Sequence, residues 1–292
     1  MITVGIYTNG RENHESNHSH YNFRMRGVDS DGLFGEEGEE GTALKPYLQE
    51  CLFFIGLHMP NHAVRFDRCT VSVNRLKQRK SDFMVGRWIM DSGAFTELST
   101  HGHYRSSVKE YADQINRWKL CGQMEAAVTQ DYMCESFILE KTGLTIADHQ
   151  RLTINRYDEL VALTNAYIMP VLQGYAPQDY VSHVRQYGER LTPGMWVGVG
   201  SVCKRNSSPR QIEDVLMAIK RERPDLRLHG FGIKKTALES GIVQSLLYSS
   251  DSMAWSYQGR RVGRGNDPEM AREYADKVAR IRYQTSLLGA ML

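Results

Sequence analysis

The feature that most constrains the fold is a regular alternation between short apolar segments and longer segments with helical periodicity. The apolar segments are rich in β-branched and aromatic residues. Most are continuous rather than alternating, which is typical of strands covered on both faces. Eight segments are therefore predicted to be buried strands: 3–7, 52–57, 87–90, 126–130, 167–172, 195–199, 226–230 and 246–250.

Amphipathic helices are predicted between the later strands. Ser107 and Glu110 form a capping-box pattern ahead of apolar residues at helical spacing. Ser208 and Asp267 each precede a proline, which is favoured in the first turn of a helix. Further helices are expected near 146–164, 177–187 and 235–244.

Buried strands alternating with helices predict an α/β fold, a single (β/α)8 TIM barrel that spans residues 1–292. A doubly wound open sheet gives a similar alternation. The barrel is favoured because the polar residues that are candidates for function follow many different strands. Two segments interrupt the early pattern and are predicted to be insertion loops, at about 9–47 and about 60–82.

The two predicted loops differ in charge. The first contains an acidic, glycine-rich stretch at 29–40, which we interpret as solvated surface. The second is basic, and for it phosphate contact and plain solubility are equally open interpretations. Its candidates for nucleic-acid binding include Arg75, Lys77, Arg79 and Lys80.

Charge and cysteine content exclude several classes of protein. The net charge of +2 gives little global field, so local basic patches would have to hold a nucleic acid. The five cysteines include no C-x2-C pair, and no histidine cluster has carboxylate or cysteine neighbours at ligand spacing, so neither disulfides nor a metal site is predicted. The chain also has no long apolar run and no signal-peptide pattern at its start, so we expect a cytoplasmic protein with no membrane partner.

Polar residues stand at the carboxyl ends of several predicted strands, which is where a TIM barrel carries its active site. Taken singly, an aspartate at such a position is more often a turn former or a helix cap than a catalyst. Three carboxylates and an amide that converge on one mouth suit a base-sized polar heterocycle, with one carboxylate left for covalent chemistry. The candidates are Asp91, Asp131, Gln173 and Asp251, with glycines at Gly198, Gly200 and Gly232.

Five short motifs in this region resemble those of the tRNA-guanine transglycosylase superfamily, barrel enzymes that exchange a guanine base for a 7-deazaguanine. The motifs follow the family order over roughly 85–260. The residues from Asp251 to Ser256, DSMAWS, are closer to the deazapurine DNA-modification branch than to the tRNA enzymes. The five motifs are DSGAF at 91–95, LQG at 172–174, VGVG at 197–200, LHGFG at 228–232 and SDS at 250–252.

The resemblance implies a role for each matching residue. Asp251 matches the nucleophile that attacks C1′ of the sugar, and Asp91 matches the general acid and base. Asp131 and Gln173 match the residues that recognise the pyrimidine edge of guanine, and such an exchange needs no cofactor. Gly198 and Gly200 would offer backbone donors. Ser92 and Gly232 are further substrate-binding candidates. Tyr132 and Trp255 are candidates to sandwich the base, or else they are ordinary core aromatics.

One departure from the family concerns the nucleic acid. The tRNA enzymes carry a zinc held by cysteines after the nucleophile strand, whereas here no cysteine follows Cys203. This disfavours tRNA and favours DNA, in which the target guanine must be flipped or single-stranded. Arg260, Arg261 and Arg264 would then contact DNA phosphates, or form a solvated turn.

The sequence therefore predicts a guanine transglycosylase that replaces guanine in DNA with a 7-deazaguanine such as 7-cyano-7-deazaguanine. Three alternatives stay open: the same exchange on tRNA, a catalytically inactive barrel that binds nucleic acid, and a nucleoside hydrolase. A homodimer or an accessory protein is also left open, because barrel enzymes of this kind often pair.

Overall fold

A computed structural model describes residues 51–205 and 208–291; beyond residue 281, and at Lys204, it describes the backbone alone. The predicted strand at 3–7 and the predicted loop at 9–47 lie outside the described residues. No helix in the described part of the chain is long and apolar enough to span a membrane.

The described residues form one sheet of nine parallel strands. The strands are β1 (Leu52–Leu57), β2 (Arg68–Ser72), β3 (Arg87–Asp91), β4 (Gln123–Val128), β5 (Ile168–Met169), β6 (Val171–Leu172), β7 (Trp196–Val199), β8 (Arg227–Gly230) and β9 (Ser249–Ser252). Their order in the sheet is β5-β4-β3-β2-β1-β9-β8-β7-β6.

The sheet closes because its two end strands are consecutive in the chain. Only Pro170 separates β5 from β6. A proline has no N–H and interrupts a strand ladder, but the Pro170 carbonyl still accepts a hydrogen bond of 2.8 Å from the Gly198 N–H of β7. Counted as one strand, β5 and β6 complete an eight-stranded barrel, so the (β/α)8 prediction is confirmed.

The structure corrects two strand predictions. The segment 60–82 is not an insertion loop, because it contains β2, which pairs with β1 and β3. Only Cys69, Thr70 and Val71 of β2 are buried, and charged residues flank them, so the apolar signal is too short to stand out. The last predicted strand, 246–250, is displaced, since a helix runs to Leu246 and β9 is built mainly of serines.

Ten α-helices surround the barrel in the described residues. The capping box of Ser107 and Glu110 is present, and the predicted helices near 146, 177, 209 and 268 form. The helices are α1 (Ala94–His101), α2 (Val108–Trp118), α3 (Ser136–Thr142), α4 (Ile146–Leu163), α5 (Pro177–Tyr187), α6 (Pro209–Glu222), α7 (Lys235–Leu238), α8 (Gly241–Leu246), α9 (Ala254–Arg261) and α10 (Pro268–Met291).

Alternation along the strands divides the core into two layers. One set of side chains packs outward against the helices, as Ile55 and Trp88 do. The other set fills the barrel interior and forms its floor, and it comprises Phe54, Ile89, Ala126, Val128, Met169, Val171 and Trp196. Residues that follow this inner set toward the carboxyl ends of the strands are therefore placed above an apolar floor.

Candidate active site

The strand register directs two carboxylates into the barrel. Ile89 belongs to the floor, and Asp91 follows it by two residues on β3, so it points to the same side. Asp251 on β9 lies in register with Phe54 of the floor. The same alternation brings Thr70 and Ser72 of β2 inward, because they lie in register with Ile89 and Asp91.

Both acids line a cavity of about 590 Å3 at the carboxyl ends of the strands. The cavity brings together six residues that the sequence analysis selected from different strands: Asp91, Asp131, Gln173, Gly200, Gly232 and Asp251. Arg75 also lies on its wall. Its apolar wall comes from residues that include Val128, Met133, Phe231 and Met253.

Asp251 is held by a backbone donor. The Gly232 N–H donates to Asp251 Oδ1 at 2.5 Å. Gly232 must be a glycine, because its φ is +63° and an added Cβ would lie 2.8 Å from Cys203 Cβ. Burial raises the pKa of Asp251 to about 7, and the negative charge of Asp91 adds to the increase, whereas the Gly232 N–H and the Thr70 hydroxyl oppose it.

Asp91 has few partners as well. Its Oδ2 accepts a hydrogen bond of 3.0 Å from the Gly93 N–H at the start of α1. Burial raises the pKa of Asp91, and the Ser72 hydroxyl and the Gly93 N–H oppose that increase. Two buried carboxyls that repel each other retain a proton more readily than isolated ones. The pair can therefore supply an acid and an ionised nucleophile at the same pH.

Asp131 has side-chain hydrogen-bond partners as neighbours, unlike Asp91 and Asp251, which accept from single backbone N–H groups. Gln173 Nε2 donates to its Oδ2 at 2.5 Å, and the Ser92 hydroxyl lies 3.5 Å from its Oδ1. Burial raises the pKa of Asp131 to about 7; the charges of Asp91 and Glu135 raise it further, and the Gln173 amide lowers it. A ligand that supplies more N–H donors would favour the ionised form.

Gln173 is oriented by its neighbours. The Ser201 hydroxyl lies 2.8 Å from Gln173 Oε1 and 2.8 Å from Glu135 Oε2. Because the amide oxygen faces Ser201, the amide nitrogen is directed to Asp131. Gly200 makes room for this amide, since an added Cβ would overlap the Gln173 amide nitrogen. Ser201 holds its place with a left-handed φ of +55°.

Several predicted site residues do not line the cavity. The indole of Trp255 donates to the Gly56 carbonyl at 2.8 Å within the core. Tyr132 is buried against Tyr104 and His149. Ser92 is buried behind Asp131. Tyr132 and Trp255 therefore fit the core interpretation and are not placed to sandwich a base.

The backbone donors expected from two glycines are also not available. The Gly198 N–H already donates to Pro170, and the Gly200 N–H donates to Leu172, both within the strand ladder. Gly198 lies beneath the ring of Phe231, which occupies the place where a Cβ would be. These glycines therefore provide space for neighbouring side chains.

Sequence reasoning missed part of the wall because it treated β2 as a loop. The Asn74 amide nitrogen is buried at the cavity without a hydrogen-bond partner among the described residues. Unpaired buried polar groups are costly, so they mark places where a polar ligand would bind favourably. A strand assignment for 68–72 would have revealed Thr70 and Ser72 by alternation.

The predicted basic residues fall into two groups. Arg75 donates to His58 Nδ1 at 3.1 Å, and Arg260 donates to Ser256 Oγ at 2.7 Å, near the cavity. The others are exposed or occupied elsewhere: Lys77 lies 3.7 Å from Glu97, Arg79 donates to the carbonyls of Ser81 and Asp82, Arg264 pairs with Asp267 at 2.6 Å, and Lys80 and Arg261 are exposed. No group of three or more potential metal ligands occurs in the part of the chain that the structure describes.

Comparison with known proteins gives one clear result. A search of curated proteins finds no match to the chain. The family model described as DpdA, deoxypurine in DNA protein A, matches residues 49–271. This range contains all nine strands and every cavity residue named above. The chain therefore belongs to the DpdA family, a tRNA-guanine transglycosylase-like family for the modification of DNA with deazapurines.

Proposed function

We propose that this protein is a guanine transglycosylase that replaces guanine in DNA with a 7-deazaguanine base such as 7-cyano-7-deazaguanine. The observation that carries the proposal is the convergence of Asp91, Asp131 and Asp251 on one cavity. Each has a raised pKa, and the charge of Asp91 acts on both of the others. Perturbed carboxylates that share a cavity are typical of acid–base and nucleophilic sites.

In the first half-reaction the ionised Asp251 attacks C1′ of the target nucleoside. A bond forms between its carboxylate oxygen and C1′, and the bond from C1′ to the guanine N9 breaks, with its electron pair moving to the base. Asp91 donates a proton to the departing guanine. The product is free guanine and a covalent aspartyl-sugar intermediate.

The second half-reaction reverses these roles with a different base. Asp91, now ionised, removes the proton from N9 of the incoming 7-deazaguanine, and that nitrogen attacks C1′ as the bond to Asp251 breaks. Two displacements retain the β configuration, by the logic of retaining glycosidases. The exchange moves a proton and a sugar between two bases, so no cofactor takes part in the proposed reaction.

Asp131 and Gln173 would select the base. An ionised Asp131 accepts hydrogen bonds from N1–H and the 2-amino group of guanine together, an arrangement that adenine cannot reproduce. The wrong base would leave a buried acceptor unpaired, which is costly. Because the cavity lies at the mouth of a barrel, the guanosine must enter it flipped out of a duplex or from a single strand.

A direct test follows the incoming base. The protein is incubated with DNA or with tRNA in the presence of 7-cyano-7-deazaguanine, and the nucleosides of each polymer are analysed by mass spectrometry. We expect the deazaguanine nucleoside in DNA and an equal amount of released guanine. The deazaguanine nucleoside in tRNA alone would support the tRNA alternative. Release of more than one equivalent of guanine per protein without any incoming base would indicate a hydrolase.

The covalent intermediate gives an independent readout. DNA should migrate with the protein on a denaturing gel when the incoming base is withheld, and Asp251→Asn should abolish that species. A parent protein that binds DNA but forms no adduct and incorporates no base would be the inactive binding barrel, and the proposed reaction would be wrong.

A further inference from the structure

One cluster at the rim of the cavity plays no part in the proposed chemistry. His58 follows directly after β1, Arg75 ends a short 3-10 turn after β2, and Ser256 and Arg260 lie one turn apart on α9. His58 and Arg75 line the cavity. In the sheet, β1 lies between β2 and β9, the strand that carries Asp251. The cluster therefore borders the nucleophile's side of the cavity.

The hydrogen bonds of the cluster define the protonation of His58. Arg75 Nη2 lies 3.1 Å from His58 Nδ1, and because a guanidinium has no acceptor, Nδ1 must accept. The ring then carries its proton on Nε2 and donates it to Ser256 Oγ at 2.7 Å. Arg260 Nη1 donates to the same oxygen at 2.7 Å. A neutral imidazole thus links the two guanidinium groups, since it accepts from Arg75 and donates to the Ser256 hydroxyl, which also accepts from Arg260.

Other groups fix the imidazole in this position. Trp255 packs against it with ring centroids 6.3 Å apart, and the Trp255 indole is itself anchored by its hydrogen bond to the Gly56 carbonyl. The Ser256 hydroxyl lies 3.4 Å from the Gly265 carbonyl, which can accept its proton. Burial and the two arginine charges lower the pKa of His58, which agrees with a neutral ring.

The two arginines differ from their basic neighbours. Arg65 pairs with Glu269, Lys77 with Glu97, and Arg264 with Asp267. Within the described residues, neither Arg75 nor Arg260 has a carboxylate partner. Both guanidinium groups are bound to the connected His58–Ser256 pair without a counter-charge. Like charges repel, and an anion with several acceptor oxygens would relieve that repulsion.

We propose that Arg75 and Arg260 bind one phosphate of the DNA strand next to the target nucleotide, and that His58 is the positioning residue that holds both guanidinium groups for it. This inference rests on the proposed function, because it takes the target nucleotide to enter the same cavity. The site then has a group for each part of a nucleotide: Asp131 for the base, Asp251 for the sugar carbon, and the two arginines for the phosphate at the rim.

The test is a double-mutant cycle between protein and DNA. The probe is a fluorescent oligothymidylate that contains one deoxyguanosine, with either the ordinary linkage or a neutral methylphosphonate on the 5′ or the 3′ side of that nucleotide. Binding is measured by anisotropy at several salt concentrations, without an incoming base. Every protein carries Asp251→Asn so that no covalent adduct forms, and the protein with that change alone serves as the parent. For the parent, we expect one of the two neutral linkages to weaken binding about tenfold.

The arginine variants should make that linkage irrelevant. Arg75→Ala and Arg260→Ala should each weaken binding to the ordinary probe about tenfold. Each should also lower the salt slope, by at most about 0.7, the value for one phosphate contact on a single strand. In these variants the neutral linkage should cost little more. Arg185→Ala is the matched control, because Arg185 lies on α5 and pairs with Glu222 away from the cavity.

His58 separates positioning from simple attraction. His58→Phe keeps the ring packed against Trp255 and keeps both positive charges. A merely electrostatic rim would bind as the parent does, whereas the proposal expects His58→Phe to weaken binding severalfold and to reduce the effect of the neutral linkage. Partial recovery is expected in His58→Gln, whose amide has both a donor and an acceptor.

The outcomes distinguish this inference from the proposed function. If the neutral linkage weakens probe binding by the same factor in the parent and in the arginine variants, the proposed phosphate site is wrong, even when base exchange proceeds. If exchange is never observed but the linkage effect disappears in the arginine variants, the proposed reaction fails and the phosphate site stands.

Discussion

The two sides of the cavity are built differently. On the side of β4, β6 and β7, Asp131 and Gln173 belong to a connected set of hydrogen bonds that continues through Ser201 to Glu135. On the side of β3 and β9, Asp91 and Asp251 each receive one backbone N–H, from Gly93 and Gly232. The first side is connected by side-chain hydrogen bonds before any ligand arrives, whereas the second is held by single backbone donors.

This difference indicates a division of labour. The connected hydrogen bonds around Asp131 and Gln173 fix the direction of their donors and acceptors, which suits discrimination between similar bases. Carboxylates with few hydrogen bonds in a buried site keep a raised pKa and reactive lone pairs, which suits proton transfer and attack on carbon. Substitutions at Asp91 or Asp251 should therefore affect the reaction rate. Substitutions that disturb Asp131 or Gln173 should affect base selectivity and stability.

The largest expected effect comes from removing the proposed nucleophile, Asp251. Asp251→Asn should reduce base exchange roughly 10⁴-fold or more, because the amide cannot form the covalent intermediate. Exchange is measured by incorporation of labelled deazaguanine into DNA. Asp276→Asn on the exposed face of α10 is the control and should leave exchange at the parent level. Equal activity of Asp251→Asn and the parent would remove Asp251 from the mechanism.

The same variant should change how stability depends on pH. The pKa of Asp251 is about 7 in the folded protein and near 3.8 in the unfolded chain, so the folded state binds the proton more tightly. This contribution to stability is present below pH 4 and is lost as the pH rises to about 7. The free energy of unfolding of the parent, relative to Asp251→Asn, should fall over that range by on the order of a few kcal/mol.

Asp225 should show the opposite dependence of folding stability on pH. Hydrogen bonds from Arg223 and the Gly194 N–H lower the pKa of Asp225, so its stabilisation is present above its ordinary pKa and is lost toward lower pH. Urea unfolding of the parent, Asp251→Asn and Asp225→Asn between pH 3 and 8 therefore compares both directions. Buried His183 and His229 also titrate on unfolding, but they are common to all three proteins and cancel in the differences.

On the side of Asp131 and Gln173, the substitution with the most specific expected effect is Gly200→Ala. The new methyl group would displace the Gln173 amide, and Asp131 would lose its donor. A buried acceptor left unpaired costs about 1–3 kcal/mol, so we expect that loss of stability together with weaker discrimination of guanine from adenine. Competition between guanine- and adenine-containing oligonucleotides and urea unfolding measure the two effects.

A second glycine shows what backbone strain alone does. Gly143 ends α3 with φ +69° and has open space where a Cβ would be. Gly143→Ala should lower stability by about 1 kcal/mol and leave selectivity unchanged. If Gly200→Ala behaved like Gly143→Ala in the competition assay, the Gln173 amide would not control base selection.

The contrast between the two sides also explains what the sequence could predict. Asp91, Asp131, Gln173 and Asp251 were identified because each ends or follows a predicted strand and each matches a functional residue of the family that the chain resembles. Their hydrogen-bond partners were not, since Ser201 and Glu135 meet Gln173 only when the barrel closes. Connections between distant strands leave no periodic signal in the chain.

The strand that was missed shows a second reason. β2 lies centrally in the sheet between β1 and β3, yet its buried residues are Cys69, Thr70 and Val71, and arginines lie on both sides. Hydrophobic periodicity cannot detect a strand whose inward side chains are polar because they face a cavity. Trp255 illustrates the converse, since an aromatic residue beside the nucleophile motif belongs to the core.

The smallest predicted effect assigns the two acids their separate roles. The hydroxyls of Thr70 and Ser72 lower the pKa of Asp251 and of Asp91, respectively. Thr70→Val should raise the pKa of Asp251, and Ser72→Ala should raise that of Asp91. Asp251 must be ionised to attack, so Thr70→Val should move the acidic limb of kcat/KM upward; Asp91 must be protonated, so Ser72→Ala should move the basic limb upward.

The two variants should therefore change the width of the pH profile in opposite directions. Thr70→Val moves the acidic limb toward the basic one and should therefore narrow the profile. Ser72→Ala moves the basic limb away from the acidic one and should therefore widen the profile. The opposite result, a wider profile for Thr70→Val and a narrower one for Ser72→Ala, would exchange the roles of nucleophile and general acid between β9 and β3.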